Sequence, residues 1–394
     1  MLFPILVAFI YQESDLSGYF YSMAACFFFA IPIWLMTRKS RKLSSRDGFA
    51  LVTFAWIIVA IAGSLPFYLT GAIPNYTDAW FEAMSGVTTT GATILGNSDT
   101  LPNLSNGIES LPKGILFWRS FLQWIGGMGI IVFTIAILPL LGVGGVQLFK
   151  AEVPGPVADK IKPRVKETAK ILWMVYVGFT LLQTTLLGFA GMPWFDAICH
   201  AFTTMPTGGF STQNASIAAY SNPLIHYIII FFMFIAGINF ALHFRAITGR
   251  FSIFFKDYEL KVYFYTVVIA TTLIFLSIAS SSSEWSHENF INSLFQTVTI
   301  MTSTGYVSAD YELWPYFCQQ AIFFLMFFGA MGGSTSGGMK LTRIILLVKY
   351  AATETRRMLH SRAIIPLRIG DRSISDDVVR NTLGFFLKIG RAHV

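Results

Sequence analysis

Charged side chains are scarce in this chain, and cysteine is scarcer still. Only 12% of the 394 residues are charged, against 54% hydrophobic with 38 Phe, a balance too apolar for an ordinary soluble domain. Cys26, Cys199 and Cys318 lie far apart. They make no Cys-x-x-Cys or Cys/His pair with metal-ligand spacing and read as packing residues. Clusters of His, Asp or Glu inside the apolar stretches, which a polytopic membrane enzyme needs, are also missing. The first residues have no basic flank and no small-residue cleavage site, so no cleavable signal peptide is read there; the first membrane segment reads as lacking its beginning.

Lysine and arginine are absent altogether from 71–112, 191–242 and 281–339. They crowd instead into Arg38 to Arg46, Lys150 to Lys170, Arg245 to Lys261 and Lys340 to Arg380. Loops that alternate between basic and base-free obey the positive-inside rule, so the basic loops are assigned to the cytoplasm and the others to the outside. The net charge of +7 then reflects topology rather than a nucleic-acid partner. Lys113 and Arg119, at the outer start of a span, stand apart from the pattern. Apolar stretches at about 18–37, 49–70, 115–141, 171–191, 223–242, 262–280 and 316–331 approach or exceed the roughly 17 to 25 residues that cross a hydrocarbon core. Residues 2–11 are too few to span.

Each base-free stretch carries a cluster rich in Thr, Ser and Gly. The first runs from Asp78 through Glu82 and Ser85 to Thr88, Thr89, Thr90, Gly91, Ala92 and Thr93. The second runs from Asp196 and His200 to Thr207, Gly208, Gly209, Phe210, Ser211 and Thr212. The third runs from Phe290 and Gln296 to Thr302, Ser303, Thr304, Gly305, Tyr306 and Ser308. In all three, an apolar span leads to a short amphipathic stretch with helical spacing, then the cluster, then a second span. The predicted fold is an all-α polytopic membrane protein of repeated helix, pore loop, helix units, each a small pore domain behind a leading hairpin.

Irregular backbone at membrane depth is tolerated only where it is buried in protein or lines a polar cavity. Several such loops on one axis form a ring of carbonyl oxygens able to replace the hydration shell of a potassium ion, with glycine letting the backbone turn. Nothing in the clusters is a good base, nucleophile or transition-metal ligand; they suit a hard monovalent cation. A single cluster of this kind is equally well an exposed Thr/Gly turn; threefold recurrence favours the filter. Outward Asp78, Glu82, Asp99, Glu109, Asp196, Glu284, Glu288, Asp310 and Glu312 either form a negative vestibule or are ordinary solvated loop charges. His200 and His243 are expected to pack rather than ligate, and Asn239 to make an interhelical hydrogen bond.

These loops, with Ser45-Arg46-Asp47-Gly48, Gly63-Ser64-Leu65-Pro66-Phe67, Gln123-Trp124-Ile125-Gly126-Gly127-Met128-Gly129-Ile130, Ala151-Glu152-Val153-Pro154-Gly155-Pro156 and Gly332-Gly333-Ser334-Thr335-Ser336-Gly337-Gly338-Met339-Lys340, resemble the Trk/Ktr/HKT potassium transporter superfamily, most closely its bacterial Trk branch. The resemblance covers about residues 15–387. It implies one pore of four pseudo-fourfold repeats with a filter glycine from each, matched here by Gly91, Gly209 and Gly305. It places the filter at Thr89, Thr90, Gly91, Ala92, Thr207, Gly208, Gly209, Phe210, Ser303, Thr304, Gly305 and Tyr306. Gly91 favours potassium, because a serine there accompanies sodium transport in some plant members; a sodium channel or symporter of the same fold is the alternative. The resemblance also makes Gly332, Gly333, Ser334, Thr335, Ser336, Gly337, Gly338 and Lys340 an intramembrane gating loop, the bland alternative being a packing seam of small residues. Lys340 reads either as a cationic barrier at the inner pore or as a snorkelling cytoplasmic lysine.

The expected organisation is a leading hairpin at 1–47, pore repeats at 48–150, 151–250 and 251–350, and a cytoplasmic linker with the start of a fourth repeat at 351–388. The fourth filter is missing, and Ile389 to Val394 reads like a translated sequencing adapter, so 389–394 is expected to be a non-native tail on a truncated sequence. The resemblance implies potassium as substrate with no cofactor, a homodimer in the bacterial inner membrane, and a cytosolic nucleotide-binding regulatory subunit. The basic inner loops are either its docking surface or topology signals that touch anionic lipid.

Overall fold

The computed structural model describes residues 1–13, 16–37, 45–96, 107–136, 165–249, 251–282 and 285–360, with short pieces between 366 and 386. The motif Ala151 to Pro156 and the tail 389–394 lie outside the described residues. Helices dominate. A short α1 (Leu2–Ile10) is followed by α2 (Ser17–Thr37) and α3 (Ser45–Leu69). The first pore helix α4 (Tyr76–Val87) then precedes α5 (Lys113–Ala136) and α6 (Val165–Phe189). The second pore helix α7 (Trp194–Thr204) leads to α8 (Pro223–Ala236), α9 (Phe240–Ile247), α10 (Ser252–Lys256) and α11 (Tyr258–Ser282). The third pore helix α12 (His287–Met301) is followed by α13 (Tyr316–Met326) and α14 (Leu341–Leu359), with a two-residue hairpin pairing β1 (Arg368–Ile369) with β2 (Arg372–Ser373).

Helices of 21 to 25 residues reach about 32 to 38 Å at 1.5 Å per residue, enough to cross a bilayer. Among the described residues, α2, α6 and α11 are long and apolar enough to cross a membrane, as are α8 and α9 taken together as one bent span. Side chains of α2 such as Phe28, Phe29, Trp34 and Met36 point away from the protein, as a lipid-facing helix requires. The pore helices, at 12, 11 and 15 residues, reach only about half to two-thirds of that depth. The chain must therefore turn back inside the membrane, and the polar loops begin where it turns.

Two predicted spans differ. The stretch 223–242 bends by 100° between α8 and α9. Gly237 ends one helix and Asn239 starts the next by accepting the Ala241 N–H at 2.8 Å. The hydrogen bond shown by Asn239 is thus a helix cap, not an interhelical bridge. The bend exposes carbonyls that find new partners: Met331 N–H donates to the Gly237 carbonyl at 3.0 Å, and the buried His243 ring bonds the Ile235 carbonyl at 2.9 Å. The stretch 316–331 is helical only to Met326, and beyond it the backbone folds into a loop. Composition alone reads both as continuous, because hydropathy carries no information about where the backbone breaks.

The sequence motifs mark close approaches. Within α3, three residues before Pro66, the Gly63 carbonyl accepts the Trp118 indole N–H at 2.8 Å. Any side chain at Gly126 would enter the Val87 carbonyl at the end of α4, and one at Gly127 would enter Pro206. Those two glycines let α5 lie against the ends of two pore helices at once.

Candidate functional site

The three polar loops share one backbone geometry. Thr89 N–H donates to the Gly86 carbonyl at 3.0 Å and Thr90 N–H to the Ser85 carbonyl at 2.9 Å. The same pair recurs as Thr207 to Thr204 and Gly208 to Thr203, both 2.9 Å, and as Ser303 to Ile300 at 2.9 Å and Thr304 to Thr299 at 2.8 Å. This is the Schellman cap, which needs a left-handed residue at its turn. Thr89, Thr207 and Ser303 supply it, with φ of 56°, 55° and 55°. Left-handed backbone costs a side-chain-bearing residue about 1–2 kcal/mol, so a hydroxyl is retained three times where glycine would be unstrained. Two residues on, Gly91, Gly209 and Gly305 are again left-handed, at 78°, 76° and 82°.

Successive loops abut through equivalent positions. A Cβ added at Gly91 would run into the Gly208 carbonyl, and one at Gly209 into the Thr304 carbonyl. A Cβ at Gly305 meets nothing within 4 Å. Aromatic side chains repeat the relation. Phe210 lies against Gly86 of α4 and beneath the Arg119 guanidinium, 3.6 Å from its ring centroid. Tyr306 reaches α7, its hydroxyl meeting those of Thr203 at 2.5 Å and Thr204 at 3.1 Å and donating to the His200 carbonyl at 3.1 Å. Each later loop thus plugs an aromatic ring into the preceding pore helix, where Ala92 of the first loop has none to offer. The relation between the first and second loops recurs between the second and third.

Gln123 of α5 clamps the second loop, its Nε2 donating to the Gly208 carbonyl at 2.9 Å and its Oε1 accepting the Phe210 N–H at 3.2 Å. The helix C-termini that end at the loops carry partial negative charge, which favours a cation. The sequence reading did not single out Gln123 as a clamp. Its signal was a primary amide, four donor and acceptor sites, inside an apolar run.

The acidic vestibule needs correction at two positions. Glu82 is fully buried and paired with Arg119 at 2.6 Å, and the same guanidinium donates to the Ser211 carbonyl at 2.9 Å. Asp196 is buried and accepts the Thr212 hydroxyl at 2.8 Å. Neither presents free charge to an entering ion. Glu109, Glu288, Asp310 and Glu312 are exposed; Asp99 and Glu284 lie outside the described residues. Arg119, anomalous by the charge pattern, is explained by Glu82, and the Lys113 ammonium sits over the Phe195 ring at 4.9 Å. Outside the spans, burial, with the Asp196 carboxylate second, pushes the Tyr220 hydroxyl above its ordinary value.

The glycine-rich stretch after α13 folds back on itself and closes where Gly329 N–H donates to the Met339 carbonyl at 2.8 Å. It touches two pore-helix ends. Gly337 N–H donates to the Ser303 hydroxyl at 2.6 Å, and the Thr335 hydroxyl donates to the Met205 carbonyl at 2.9 Å. It also docks in the α8–α9 bend, Phe240 N–H donating to the Gly333 carbonyl at 3.1 Å. Lys340 turns back into the loop, its ammonium donating to the carbonyls of Ser334 and Ser336. Buried Glu259 of α11 accepts the Gly332 N–H and the Thr342 hydroxyl, both at 2.9 Å, gripping the loop and the start of α14 together.

Span-length helices joined by shorter pore helices and polar loops define a multi-pass membrane protein of the pore-loop class. The model of the cation transport protein family TrkH matches residues 18–389, and the chain belongs to that family. The Trk system potassium uptake protein TrkH of Vibrio parahaemolyticus is 40% identical over 98% of this chain and 79% of its own length. The protein of the same name from Escherichia coli K12 is also 40% identical, with the same coverage, and the Trk system potassium uptake protein TrkG of that strain is 34% identical over 98% of this chain and 78% of its own length. The crystal structure of the potassium transporter TrkH from Vibrio parahaemolyticus superposes with a TM-score of 0.86 at 38% identity, covering 98% of this chain and 78% of that one.

Proposed function

We propose that the chain conducts potassium into the cell as the membrane subunit of an uptake system in the bacterial inner membrane, with potassium as substrate and without a cofactor. The filter consists of Thr89 to Ala92, Thr207 to Phe210 and Ser303 to Tyr306. The observation that carries this reading is the threefold backbone identity of loops that abut one another through the same glycine and carbonyl positions. A ring built by that rule continues past Gly305, and a fourth loop set there completes the coordination. Inward movement of one charge gains about 2.3 kcal/mol per 100 mV of membrane potential.

The stretch Gly332 to Lys340 gates the path beneath the filter, since it reaches Ser303 and Met205 at the cytoplasmic ends of two pore helices. The protein works as a homodimer whose basic inner face, including exposed Arg356, receives a cytosolic nucleotide-binding regulator. The test is ion-selective flux in vesicles made with the full-length protein. Potassium influx well above sodium influx is expected; equal or sodium-favouring influx would establish the sodium-conducting alternative. For the partner, charge reversal of Arg356 and Arg357 is expected to abolish co-purification of the regulator, and unchanged recovery would refute the docking surface.

A further inference from the structure

Behind the three loops lies a second repeat that the filter reading does not use. Nine residues before each filter glycine the pore helix carries Glu82, His200 or Gln296, and thirteen before it Asp78, Asp196 or Asn292. The spacing of four puts both positions of a pair on one helix face. That face meets the outgoing leg of the helix's own loop. In the second unit the Thr212 hydroxyl donates to Asp196 at 2.8 Å, and the His200 Nε2 bonds the Ser211 hydroxyl at 3.0 Å. Because the His200 Nδ1 faces the Asp196 carbonyl, 2.8 Å away, it carries the ring proton, and Nε2 accepts. In the third unit the Ser308 hydroxyl donates to Asn292 at 3.0 Å and the Gln296 Nε2 donates to the Ala309 carbonyl at 3.2 Å. In the first unit Ile94 has no hydroxyl at the matching place. Glu82 makes both contacts there, accepting the Thr93 hydroxyl at 2.9 Å and the Ile94 N–H at 3.2 Å.

Chemically unlike residues, a carboxylate, an imidazole and an amide, therefore fasten the same part of three loops. Glu82, His200 and Gln296 are all buried, as are the hydroxyls of Thr212 and Ser308. Packing alone needs no polar atom at these places, and a buried polar group must be satisfied, so maintaining matched donors and acceptors three times points to a positional demand. The demand lies two to four residues past the filter glycine, on the leg whose placement sets how far the loop oxygens close on an ion.

We propose that these paired positions are specificity-setting braces: Asp196 with Thr212 and Asn292 with Ser308, together with Glu82, His200 and Gln296, hold the outgoing legs apart and so prevent the filter from contracting onto sodium. They are positioning residues and do not touch the ion. The inference rests on the filter assignment above.

The test compares Thr212→Val, which keeps shape and removes the hydroxyl, with Thr212→Ser, which keeps it, and with Ser308→Ala, in full-length protein reconstituted into vesicles. The readout is the ratio of potassium to sodium influx, which a uniform loss of folded protein leaves unchanged. Thr212→Val and Ser308→Ala are each expected to lower the ratio about five-fold, the factor matching one hydrogen bond of typical net strength, while Thr212→Ser stays at the parent ratio. An unchanged ratio in Thr212→Val and Ser308→Ala, or an equal fall in Thr212→Ser, overturns the brace. If Thr212→Val does not fold, Ser308→Ala alone decides. Failure of the filter assignment looks different: the unsubstituted protein itself would show no preference for potassium.

Discussion

Gly209→Ala is the sharpest perturbation the structure offers. A Cβ there would enter the Thr304 carbonyl, with the carbonyl carbon at 2.9 Å and the Gly305 carbonyl carbon at 3.4 Å. Carbon atoms in contact prefer about 3.5–4.0 Å, so the Thr304 peptide must retreat by about 0.6 Å or more. The atoms in the way are backbone, which cannot swing aside as a side-chain end can. Alanine at a φ of 76° adds about 1–2 kcal/mol of strain. Functional constellations tolerate about 0.5 Å of displacement, so the shift alone exceeds what a coordinating ring can absorb, whereas the fold, fastened at Gln123, Phe210 and Tyr306, can. The expected outcome is protein that purifies normally but loses selective potassium influx in vesicles and fails to support growth of an uptake-deficient bacterium at low potassium. Parent influx with the parent potassium-to-sodium ratio would refute the reading of these loops as abutting filter elements. Gly305→Ala is the companion: an equal loss there shows that another loop stands against it in the assembled protein.

Gln123→Leu leaves the Gly208 carbonyl and Phe210 N–H without their partner, at about 1–3 kcal/mol each, and should lower the thermal stability of the purified protein as well as its flux; parent stability would show that the clamp is not needed. Arg119→Met strands the buried Glu82 carboxylate and should cost about 3–5 kcal/mol, read as a large fall in unfolding temperature, with the paired change Glu82→Gln recovering part of it. Lys340→Ala removes the donor to the Ser334 and Ser336 carbonyls, bonds to a charged group being worth about 1.5–3 kcal/mol, and should raise potassium leak in vesicles; unchanged flux removes Lys340 from gating. Glu259→Leu should loosen the same loop by releasing Gly332 and Thr342, and the leak it causes should exceed that of Glu259→Gln, which keeps an acceptor.

What was legible in the sequence was whatever repeats locally. Three Thr/Ser/Gly clusters, each behind a short amphipathic stretch, placed the loops, and the structure sets the residues read as filter side by side. The glycine-dense stretch 332–340 was placed as an intramembrane loop by the family resemblance, but the end of the preceding helix at Met326 was not. Unread were the partners that meet only through the fold. Arg119 looked like an exception to topology until Glu82 appeared 37 residues earlier in sequence and 2.6 Å away in space. The Asp/Asn-x-x-x-Glu/His/Gln spacing in the pore helices was visible as letters, but its meaning depends on the returning leg of the loop. The Gly237–Asn239 break carried a usable signal, a helix-ending glycine followed by a strong N-cap residue, masked by the apolar residues on either side.

Besides the bonds each loop makes to its own pore helix, several contacts that shape the loops cross from one unit to the next. Gln123 belongs to the first inner helix and holds the second loop; Phe210 of the second loop packs on the first pore helix; Tyr306 of the third binds the second. Gly237, in the bend of the second unit, leaves room for Thr302 at the end of the third pore helix, 3.1 Å from where its Cβ would lie, as Gly127 does for Pro206. A strained left-handed hydroxyl residue at each cap stays in place because its neighbours over-determine it, through its own cap bonds and through the contacts that the adjacent residues make to other units. Loosening one loop should therefore disturb the next in chain order more than the previous one. Ser303 adds the 332–340 loop to the same circuit through the Gly337 N–H, so a movement of that loop acts directly on a residue already held in costly backbone. Ser303→Gly, which relieves the strain and deletes the contact together, should uncouple loop position from filter conduction, whereas Ser303→Thr should preserve both.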